Sequence, residues 1–517
     1  MDLRNSMIWF VFMVCLLRCG WRFLNWIWLT PKKLEKCLRE QGFAGNPYRL
    51  YSGDLNDVVA MEEEAKSKPM NFSHDIVPRV IPSMHHTIKK YGKNSFMWLG
   101  PNPRVLIMDP EQLKAALSLY NDFQKPTTNP LVRLLFDGLI NHEGEKWVKH
   151  RKIINHAFHF EKLKDMVPTM FESCNEMISK WEKMTSKDGS CELDVVPYLQ
   201  SLTADVISRT AFGSTYEEGK IIFNHFKELI RLVLQASNTV YLSGWRFLPT
   251  KSNNRMKKIT KEIKTILMNI IDKRQRTMKE GETMHSDDLL GILLESNSNE
   301  IKEHGNVNIG MSINDLIEEC KIFYFAGQET TAVLLVWTMV LLGSYTKWQD
   351  RARAEVLQVF GNNKPDFDGL NRLKIVTMIL NEVLRLYPPG SAVSRNLVKK
   401  ETKLGNLKFP SGVTLSFPII LIHRDKELWG EDADEFNPER FAEGVSKATK
   451  NQTAFFPFGW GPRICVGQNF AMIEAKIALS IILQHFSFEL SPSYTHAPIS
   501  ILTIQPQHGA HIILHKL

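Results

Sequence analysis

The sequence predicts a mainly α-helical protein with small β-sheets, preceded by an apolar N-terminal helix. Apolar residues recur at three- and four-residue steps, with charges between them, in segments 171–181, 223–234 and 256–278. Strand-like segments are short and lie towards the two ends of the chain, at 95–99, 104–108, 413–417 and 511–515. The helical spacing of apolar residues, every three to four positions, therefore dominates the sequence.

Length and composition limit the domain organisation. The chain has 517 residues, which at roughly 150 residues per domain suggests about three domains. No linker-like stretch follows Pro31, and the longest polar segment, 295–308, is expected to be a surface loop between helices. With 44% hydrophobic and 23% charged residues, the composition is that of a globular protein and excludes a disordered or collagen-like chain.

Cysteine usage and charge exclude several further classes. The seven cysteines are scattered without a paired CxxC, which argues against a disulfide framework or a zinc cluster and indicates a reducing compartment. The formal net charge of +8 comes without a long Lys/Arg tract, so no nucleic-acid partner is expected. A basic face towards anionic lipid or an acidic protein is compatible with this charge.

The first 30 residues are predicted to form a membrane anchor. An apolar run at 7–17 is interrupted by Arg18 and Arg22 and resumes at 26–29, so a helix over 7–29 would span about 35 Å. Basic residues are more frequent after residue 31 than before the run, which places the remainder in the cytosol. No small-residue cleavage site follows, so the anchor is expected to be uncleaved; an interfacial helix is the alternative.

One long helix is expected in the centre of the molecule. Ser312 and Asp315 have the spacing of a capping box, and about 30 proline-free residues follow, apolar almost all round in the second half. This helix contains Ala326, Gly327, Gln328, Glu329, Thr330 and Thr331. The glycine, the acid and the two β-branched hydroxyl residues among them are poor choices for a buried helix. They indicate either a functional site or a packing notch at Gly327 with threonines bonded to the preceding turn.

A glycine-rich loop at 458–467 presents Cys465 just before an apolar helix that is expected to start at Asn469. Backbone N–H groups and the helix dipole would stabilise a thiolate there and lower its pKa. Such a cysteine is either a nucleophile or an iron ligand, and no histidine lies near it in sequence to serve as its base.

The spacing Phe458, Gly461, Arg463, Cys465, Gly467 resembles the haem-binding signature of the cytochrome P-450 superfamily, the haem-thiolate monooxygenases. Four further segments resemble motifs of that family in its order: 147–151, 326–331, 382–385 and 438–441. The resemblance covers the chain from Pro31 onward. It implies a single large cytochrome P-450 fold over residues 31–517, which replaces the estimate of three domains, behind the N-terminal anchor over residues 1–30.

Further segments are similar to the plant seventy-two clan, of the secologanin synthase type: 21–26, 287–297, 386–390, 431–441 and 505–517. Members of this clan oxidise iridoids, triterpenoids and gibberellins. The resemblance therefore implies a plant enzyme of the endoplasmic reticulum membrane that acts on a hydrophobic specialised metabolite, with its catalytic domain facing the cytosol.

The resemblance implies a role for each candidate residue. Cys465 would be the axial thiolate ligand of the haem iron, which favours O–O cleavage. Glu329 and Thr330 would deliver protons during oxygen activation, and Gly327 would leave room for dioxygen. The residues expected to contact the haem or its propionates are Trp147, Arg151, Arg395, Phe458 and Arg463.

Other residues are implied to build the fold or the substrate pocket. Glu382 and Arg385 resemble a structural clamp, completed by Arg440, that holds the cysteine loop and takes no part in chemistry. The pocket is expected to be lined by apolar residues that suit a terpenoid skeleton: Leu131, Leu134, Phe136, Ala326, Val393, Ile499 and Ile501.

The implied cofactors are haem b, dioxygen, and electrons from NADPH delivered by a separate NADPH–cytochrome P-450 reductase. Membrane lipid and a hydrophobic small molecule are the other expected partners. Lys146, Lys149 and Lys152 share one stripe of a helix. They are predicted to dock the reductase, the alternative being a solvated helix face.

Two other functions are open at this stage. A haem-thiolate isomerase or dehydratase of peroxides would need no reductase, but such relatives usually lack the threonine present here as Thr330. A haem-binding sensor or carrier would have no use for the Glu329–Thr330 pair. Both residues therefore favour the monooxygenase.

Overall fold

The computed structural model describes residues 3–126, 130–214, 216–237, 244–279, 288–305, 309–397 and 401–517. The α-helices are α1 Leu3–Leu24, α2 Thr30–Glu40, α3 Leu55–Ser67, α4 Val77–Val80, α5 Pro82–Tyr91, α6 Pro110–Ser118, α7 Gly144–Ala157, α8 Phe160–Met184, α9 Val196–Phe212, α10 Tyr216–Ser237, α11 Lys251–Lys279, α12 Leu289–His304, α13 Ile313–Ser344, α14 Thr346–Phe360, α15 Phe367–Arg372, α16 Lys374–Leu386, α17 Ile419–Ile422, α18 Lys426–Trp429 and α19 Gln468–His485.

The strands are short, as predicted. They are β1 Ala44–Gly45, β2 Ser95–Leu99, β3 Asn102–Leu106, β4 Phe123–Gln124, β5 Ser190–Asp194, β6 Val393–Leu397, β7 Glu401–Leu404, β8 Leu407–Pro410, β9 Thr414–Phe417, β10 Phe486–Leu490, β11 Pro498–Ser500, β12 Ile504–Pro506 and β13 His511–Lys516.

A six-stranded sheet has the order β1-β2-β3-β9-β6-β4, and a three-stranded sheet has the order β10-β13-β5. The strands β7 and β8 form one separate pair, and β11 and β12 form another. In the large sheet β6 lies between β9 and β4, with Arg395 opposite Leu415 and Asn396 opposite Gln124. This sheet therefore brings Arg395 close to the segment around residue 124.

The mainly helical prediction with small sheets is confirmed. The strand predicted at 95–99 is β2, and those predicted at 104–108, 413–417 and 511–515 correspond to β3, β9 and β13 with shifts of one or two residues. The predicted helical segments lie inside α8, α10 and α11.

The loop predicted at 295–308 is wrong over its first part, because α12 continues to His304. The prediction was based on the polar composition of this segment, but Asn297 is buried. Its side chain forms hydrogen bonds with both the carbonyl and the N–H of Met311. Gly305, with φ of 62°, then ends the helix in the left-handed conformation. The predicted loop residues 306–308 lie outside the described residues.

The N-terminal helix continues further than predicted. α1, a π-helical segment Asn25–Leu29 and α2 follow one another without a break. Pro31 has no N–H to give to the Ile27 carbonyl, and the Tyr48 hydroxyl donates to that carbonyl instead at 2.7 Å. Apolar side chains from Met7 to Trp26 are exposed, whereas Ile27 and Leu34 are buried against the body.

Among the described residues, two helices are long and apolar enough to span a membrane: Asn5–Glu40 and α13. The apolar window of α13 is 78% buried inside the molecule, so α13 is a core helix. Its predicted capping box is present: Ser312 and Asp315 exchange side-chain-to-backbone hydrogen bonds. α13 packs against α9, α16 and α19 and thereby crosses the centre of the fold.

Candidate active site

The cysteine loop is closed by its own backbone. The N–H of Cys465 donates to the Phe458 carbonyl at 2.9 Å. Gly461 has φ of 73°, and a Cβ there would lie 2.8 Å from the Leu117 carbonyl oxygen. Only glycine therefore allows the loop to lie this close to α6. The Cys465 side chain is accessible although protein atoms surround it, so a ligand can reach its thiol.

Sequence reasoning expected a lowered pKa for Cys465, and this expectation is corrected. Burial is the largest influence, and it raises the pKa of the thiol above its usual value. The Gly467 N–H, Arg151 and Lys125 act in the opposite direction. The N–H that reaches the sulfur is therefore present as expected, but the effect of the surrounding protein outweighs it.

The predicted clamp of Glu382 and Arg385 is fully buried. Arg385 donates to both carboxylate oxygens of Glu382, at 2.7 and 2.8 Å. Its other bonds go to the carbonyls of His423, Ala433 and Glu435. Arg440 lies 3.4 Å from Glu382 and pairs more closely with Asp432 at 2.9 Å. The clamp thus ties α16 to the segment 423–440.

His423 connects this clamp to the cysteine loop, and sequence reasoning did not identify it. Its Nε2 accepts the Phe456 N–H at 3.2 Å, so its Nδ1 carries the proton and donates to the Arg385 carbonyl at 3.1 Å. Burial and the charge of Arg385 lower the pKa of His423 to about 3. The neutral ring therefore links Arg385 to a residue two positions before Phe458.

On α13, the hydroxyl of Thr330 donates to the Ala326 carbonyl at 2.7 Å, which leaves its oxygen lone pairs available as acceptors. Ala326, Glu329 and Thr330 are half-buried. A Cβ on Gly327 would lie 2.8 Å from Cδ1 of Ile207 on α9. The missing side chain therefore makes room for α9, and the role of Gly327 in leaving room for dioxygen stays a prediction.

Glu329 does not extend freely to solvent. Its Oε1 accepts hydrogen bonds from the Thr503 hydroxyl at 2.7 Å and from the side-chain amide of Gln505. Both donors belong to the β11–β12 hairpin region, far along the sequence. The sequence contains no local signal for this contact, because it arises only when the C-terminal hairpin packs on α13.

Thr331 points away from Thr330. It is 1% exposed, and its hydroxyl faces the carboxyl group of Glu474 on α19. Burial raises the pKa of Glu474 well above its usual range. Thr331 is therefore not placed to replace Thr330.

The predicted pocket residues lie in three places around α13. The Phe136 ring packs on Phe325, one residue before Ala326, with ring centroids 4.8 Å apart. The Leu134 carbonyl accepts from Lys321 at 3.0 Å, and Leu131 is buried in the same segment. Val393 begins β6, Ile499 is buried in β11, and Ile501 is 41% exposed at the turn after β11.

The comparisons with known proteins decide the family. The sequence matches the cytochrome P-450 family, described as "Cytochrome P-450", over residues 76–512. The chain belongs to the cytochrome P-450 family. It is 60% identical to "Cytochrome P-450 CYP72A219" of Panax ginseng, over 98% of each chain. It is 54% identical to "Secologanin synthase 1" of Catharanthus roseus, over 96% of this chain and 95% of the relative.

The fold of this P-450 is also that of solved structures. The structure titled "Retinoic acid bound cyanobacterial CYP120A1" matches with a TM-score of 0.72 and 25% sequence identity, over 84% of this chain and 94% of the other. The identities to CYP72A members place the chain in the plant CYP72 group. It is a haem-dependent monooxygenase that uses haem b, dioxygen and NADPH-derived electrons.

The side chains of this P-450 fit a haem with its two propionates. Three cations gather near the cysteine loop: Lys125, Arg151 and Arg395. Arg151 bonds the Ile464 carbonyl at 2.6 Å, and the Nε of buried Arg395 has no hydrogen-bond partner among the described residues. Burial and the charges of Arg395 and Arg463 lower the pKa of Lys125 to about 7. A pair of carboxylates relieves such crowding.

Arg463 already has protein partners. Both terminal nitrogens donate to the His142 carbonyl at 3.1 Å, and Glu143 forms an ion pair with it. Its guanidinium lies 4.5 Å from the ring centroid of Trp147, a cation–π contact. Lys125, which sequence reasoning missed, lies among these cations and is a further candidate to hold a propionate.

The lysine stripe on α7 is not an unpaired basic surface. Lys146 pairs with Asp315 at 2.7 Å, Lys149 donates to the Gly310 carbonyl at 2.9 Å, and Lys152 pairs with Glu300 at 2.6 Å. These contacts fasten α7 to α12 and to the start of α13. They favour a structural role for the stripe over the predicted docking role.

Proposed function

We propose that this P-450 inserts one oxygen atom of dioxygen into a C–H bond of a terpenoid, within plant specialised metabolism. The observation that carries the proposal is the apolar and aromatic surface beside the active-site helix, where Phe136 and Phe226 both contact Phe325. A largely apolar carbon skeleton suits such a surface. The 54% identity to secologanin synthase 1 supports a substrate of the iridoid, triterpenoid or gibberellin type.

Cys465 is proposed as the axial ligand of the haem iron, and Arg151, Arg395 and Lys125 as partners of the propionates. Phe458 and Trp147 border the haem, and Arg463 positions Trp147 through their stacking. When bound, the haem supplies dioxygen binding and O–O cleavage, assisted by electron donation from the thiolate. The clamp of Glu382, Arg385 and Arg440 holds the cysteine loop through His423.

Glu329 and Thr330 are proposed to deliver protons during oxygen activation. Thr503 and Gln505 are positioning residues, because their hydrogen bonds fix one oxygen of the Glu329 carboxylate and leave the other for a proton relay. Thr330 keeps acceptor lone pairs while donating to Ala326. Since Thr503 follows Ile501 in the hairpin that flanks the pocket, substrate contact with this hairpin would also act on Glu329.

Residues 1–30 are proposed to anchor the protein in the endoplasmic reticulum membrane, with residues 31–517 as the monooxygenase domain in the cytosol. Exposed apolar side chains along α1 support the anchor. The electron donor is proposed to be membrane-bound NADPH–cytochrome P-450 reductase.

The test uses the full chain reconstituted in lipid with a plant reductase and a panel of iridoids, triterpenoids and gibberellin precursors. Product that contains one atom of labelled dioxygen, formed only with NADPH and reductase from a panel member, supports the proposal. Conversion of hydroperoxides without NADPH would favour the isomerase or dehydratase. No turnover of any panel member, with normal haem content, would remove the terpenoid assignment.

A further inference from the structure

A cluster of buried histidines and carboxylates lies outside the residues assigned above. His142 precedes α7, His150 lies on α7, and Asp315 and Glu319 lie in the first two turns of α13. His150 and Glu319 are fully buried and His142 is 9% exposed. The rings of His142 and His150 are 4.6 Å apart, centroid to centroid. Such a concentration of ligand atoms is unusual for a helix-to-helix contact.

The hydrogen bonds fix where the lone pairs lie. Nδ1 of His150 is 2.6 Å from Oε1 of Glu319, and the N–H of Leu139 donates to the other carboxylate oxygen at 2.9 Å. A carboxylate accepts, so Nδ1 carries a proton, and in the neutral imidazole the lone pair of His150 is on Nε2. Nε2 of His150 and Nε2 of His142 are buried and have no hydrogen-bond partner among the described residues.

We propose that His142, His150 and Asp315 bind a divalent transition-metal ion, with Zn²⁺ the best fit, at a site separate from the haem. The ligand atoms of these three residues all lie within 4.8 Å of one another, and Nε2 of His150 is 3.9 Å from Oδ1 of Asp315. Zinc requires bond lengths of about 2.0–2.1 Å and therefore ligand atoms about 3.3–3.4 Å apart. Small side-chain rotations would bring the ligand atoms from their present separation to the one that zinc requires.

The surroundings match those of protein zinc sites. Glu319 accepts a hydrogen bond from Nδ1 of His150. Carboxylates orient metal-bound imidazoles in this way. Nε2 of His142 is buried without a hydrogen-bond partner among the described residues, so it is available as a second nitrogen ligand. The ammonium group of Lys146, which pairs with Asp315 at 2.7 Å, is 48% exposed and can move into solvent when a metal ion takes its place. Three protein ligands leave a fourth position for water.

The site would join three parts of the fold that surround the cysteine side of the cleft. The carbonyl of His142 accepts hydrogen bonds from the guanidinium of Arg463. Arg463 lies two residues before Cys465. A metal ion would therefore fix the segment before α7, α7 itself and α13 relative to the cysteine loop. We expect it to stabilise the protein rather than to take part in the oxidation.

The test measures zinc bound to the holoprotein. Full-length protein, freed of adventitious metal with a chelator, is equilibrated by dialysis against Zn²⁺, and zinc and iron are determined by elemental analysis in both chambers. Haem iron supplies the internal standard, so the readout is the zinc-to-iron ratio. The expected result is a single tight zinc per haem that also raises the unfolding temperature.

The variants His142→Asn and Asp315→Asn should lose this zinc, and Glu319→Gln should weaken it by about 10–100-fold. His156→Asn, which changes an exposed histidine on the same helix, is the matched control and should retain it. The carbon monoxide spectrum of each reduced variant verifies folding without reference to zinc. Equal zinc binding by all five chains, or none by the parent chain at micromolar free zinc, would overturn the proposal.

Discussion

The Nε2 atom of His423 accepts the backbone N–H of Phe456 at 3.2 Å, while the Nδ1 of the same ring donates to the Arg385 carbonyl. This single imidazole joins the buried Glu382–Arg385 clamp to the loop that presents Cys465. Arg385 of the clamp and Cys465 of the loop are separated by 80 positions along the chain. Their relationship explains how a clamp on α16 influences the position of a thiol near the start of α19.

Replacing this imidazole is expected to destabilise the protein. His423→Phe keeps an aromatic ring but leaves the buried Phe456 N–H without an acceptor, which typically costs about 1–3 kcal/mol. Denaturant unfolding of the holoprotein measures the change in the free energy of unfolding, and haem retention should decrease with it. His86→Phe, at an exposed position of α5, is the control; equal losses in both variants would show that the His423 bonds contribute nothing specific.

Stability is expected to decrease as pH is lowered below about 6.5. Burial lowers the pKa values of His74 and His423 to about 3 and that of His496 to about 4. Between these values and 6.5 the unfolded chain binds protons that the folded chain does not, so the free energy of unfolding falls as pH falls, by up to about 1.4 kcal/mol per pH unit for each ring. Above 6.5 the contribution is constant.

Unfolding measured from pH 7.5 to pH 4.5 checks this expectation. The His423→Phe variant should show a shallower decline than the parent, because it has one fewer such ring. Parallel declines for parent and variant would mean that His423 is protonated in the folded protein, which contradicts its role as acceptor for Phe456.

Loss of the Thr330 hydroxyl is expected to separate NADPH consumption from product formation. Thr330→Val keeps the shape of the side chain but removes the hydroxyl, so electrons continue to reach dioxygen while hydrogen peroxide replaces product. Loss of a group that takes part in acid–base catalysis typically reduces the productive step by about 10²–10⁴-fold. The matched variant is Thr331→Val, whose hydroxyl faces Glu474; it should leave the product-to-NADPH ratio unchanged. If Thr331→Val uncouples the reaction as strongly, the assignment to Thr330 is wrong.

Thr503→Val tests the hairpin contact with Glu329. Without the 2.7 Å hydrogen bond, the carboxylate is held less firmly, and a typical loss of 0.5–1.5 kcal/mol lowers the product-to-NADPH ratio by about two- to tenfold. Thr503→Ser retains the hydroxyl and should restore the ratio. A purely structural role would instead reduce stability equally in the Val and Ser variants and leave the ratio intact.

The elements that local sequence patterns predict are those built from residues close together in the chain. The capping box of Ser312 and Asp315, the spacing of Glu382 and Arg385, and the glycine loop before Cys465 all belong to this class. The structure confirms each of them, because neighbouring residues determine their geometry. The family could be recognised for the same reason.

Contacts made across the fold were not predictable in this way. His423, Lys125 and Thr503 lie in no motif, and only tertiary packing brings them to the clamp, the cysteine loop and Glu329. The close approach of Ile207 to Gly327 was not predictable either, because Ile207 lies 120 positions earlier in the chain. The same limitation affected the α7 lysines, whose acidic and carbonyl partners lie on α12, on α13 and in the segment between them.

The central claim is that Cys465 ligates the haem iron as a thiolate. The carbon monoxide difference spectrum of the reduced protein tests it most directly, measured for the parent chain, Cys465→Ser and the control Cys320→Ser, which changes a buried cysteine of α13. The parent chain and the control should show the red-shifted Soret band that gives the family its name, and Cys465→Ser should lose it together with turnover. A normal band and normal turnover in Cys465→Ser would contradict the account.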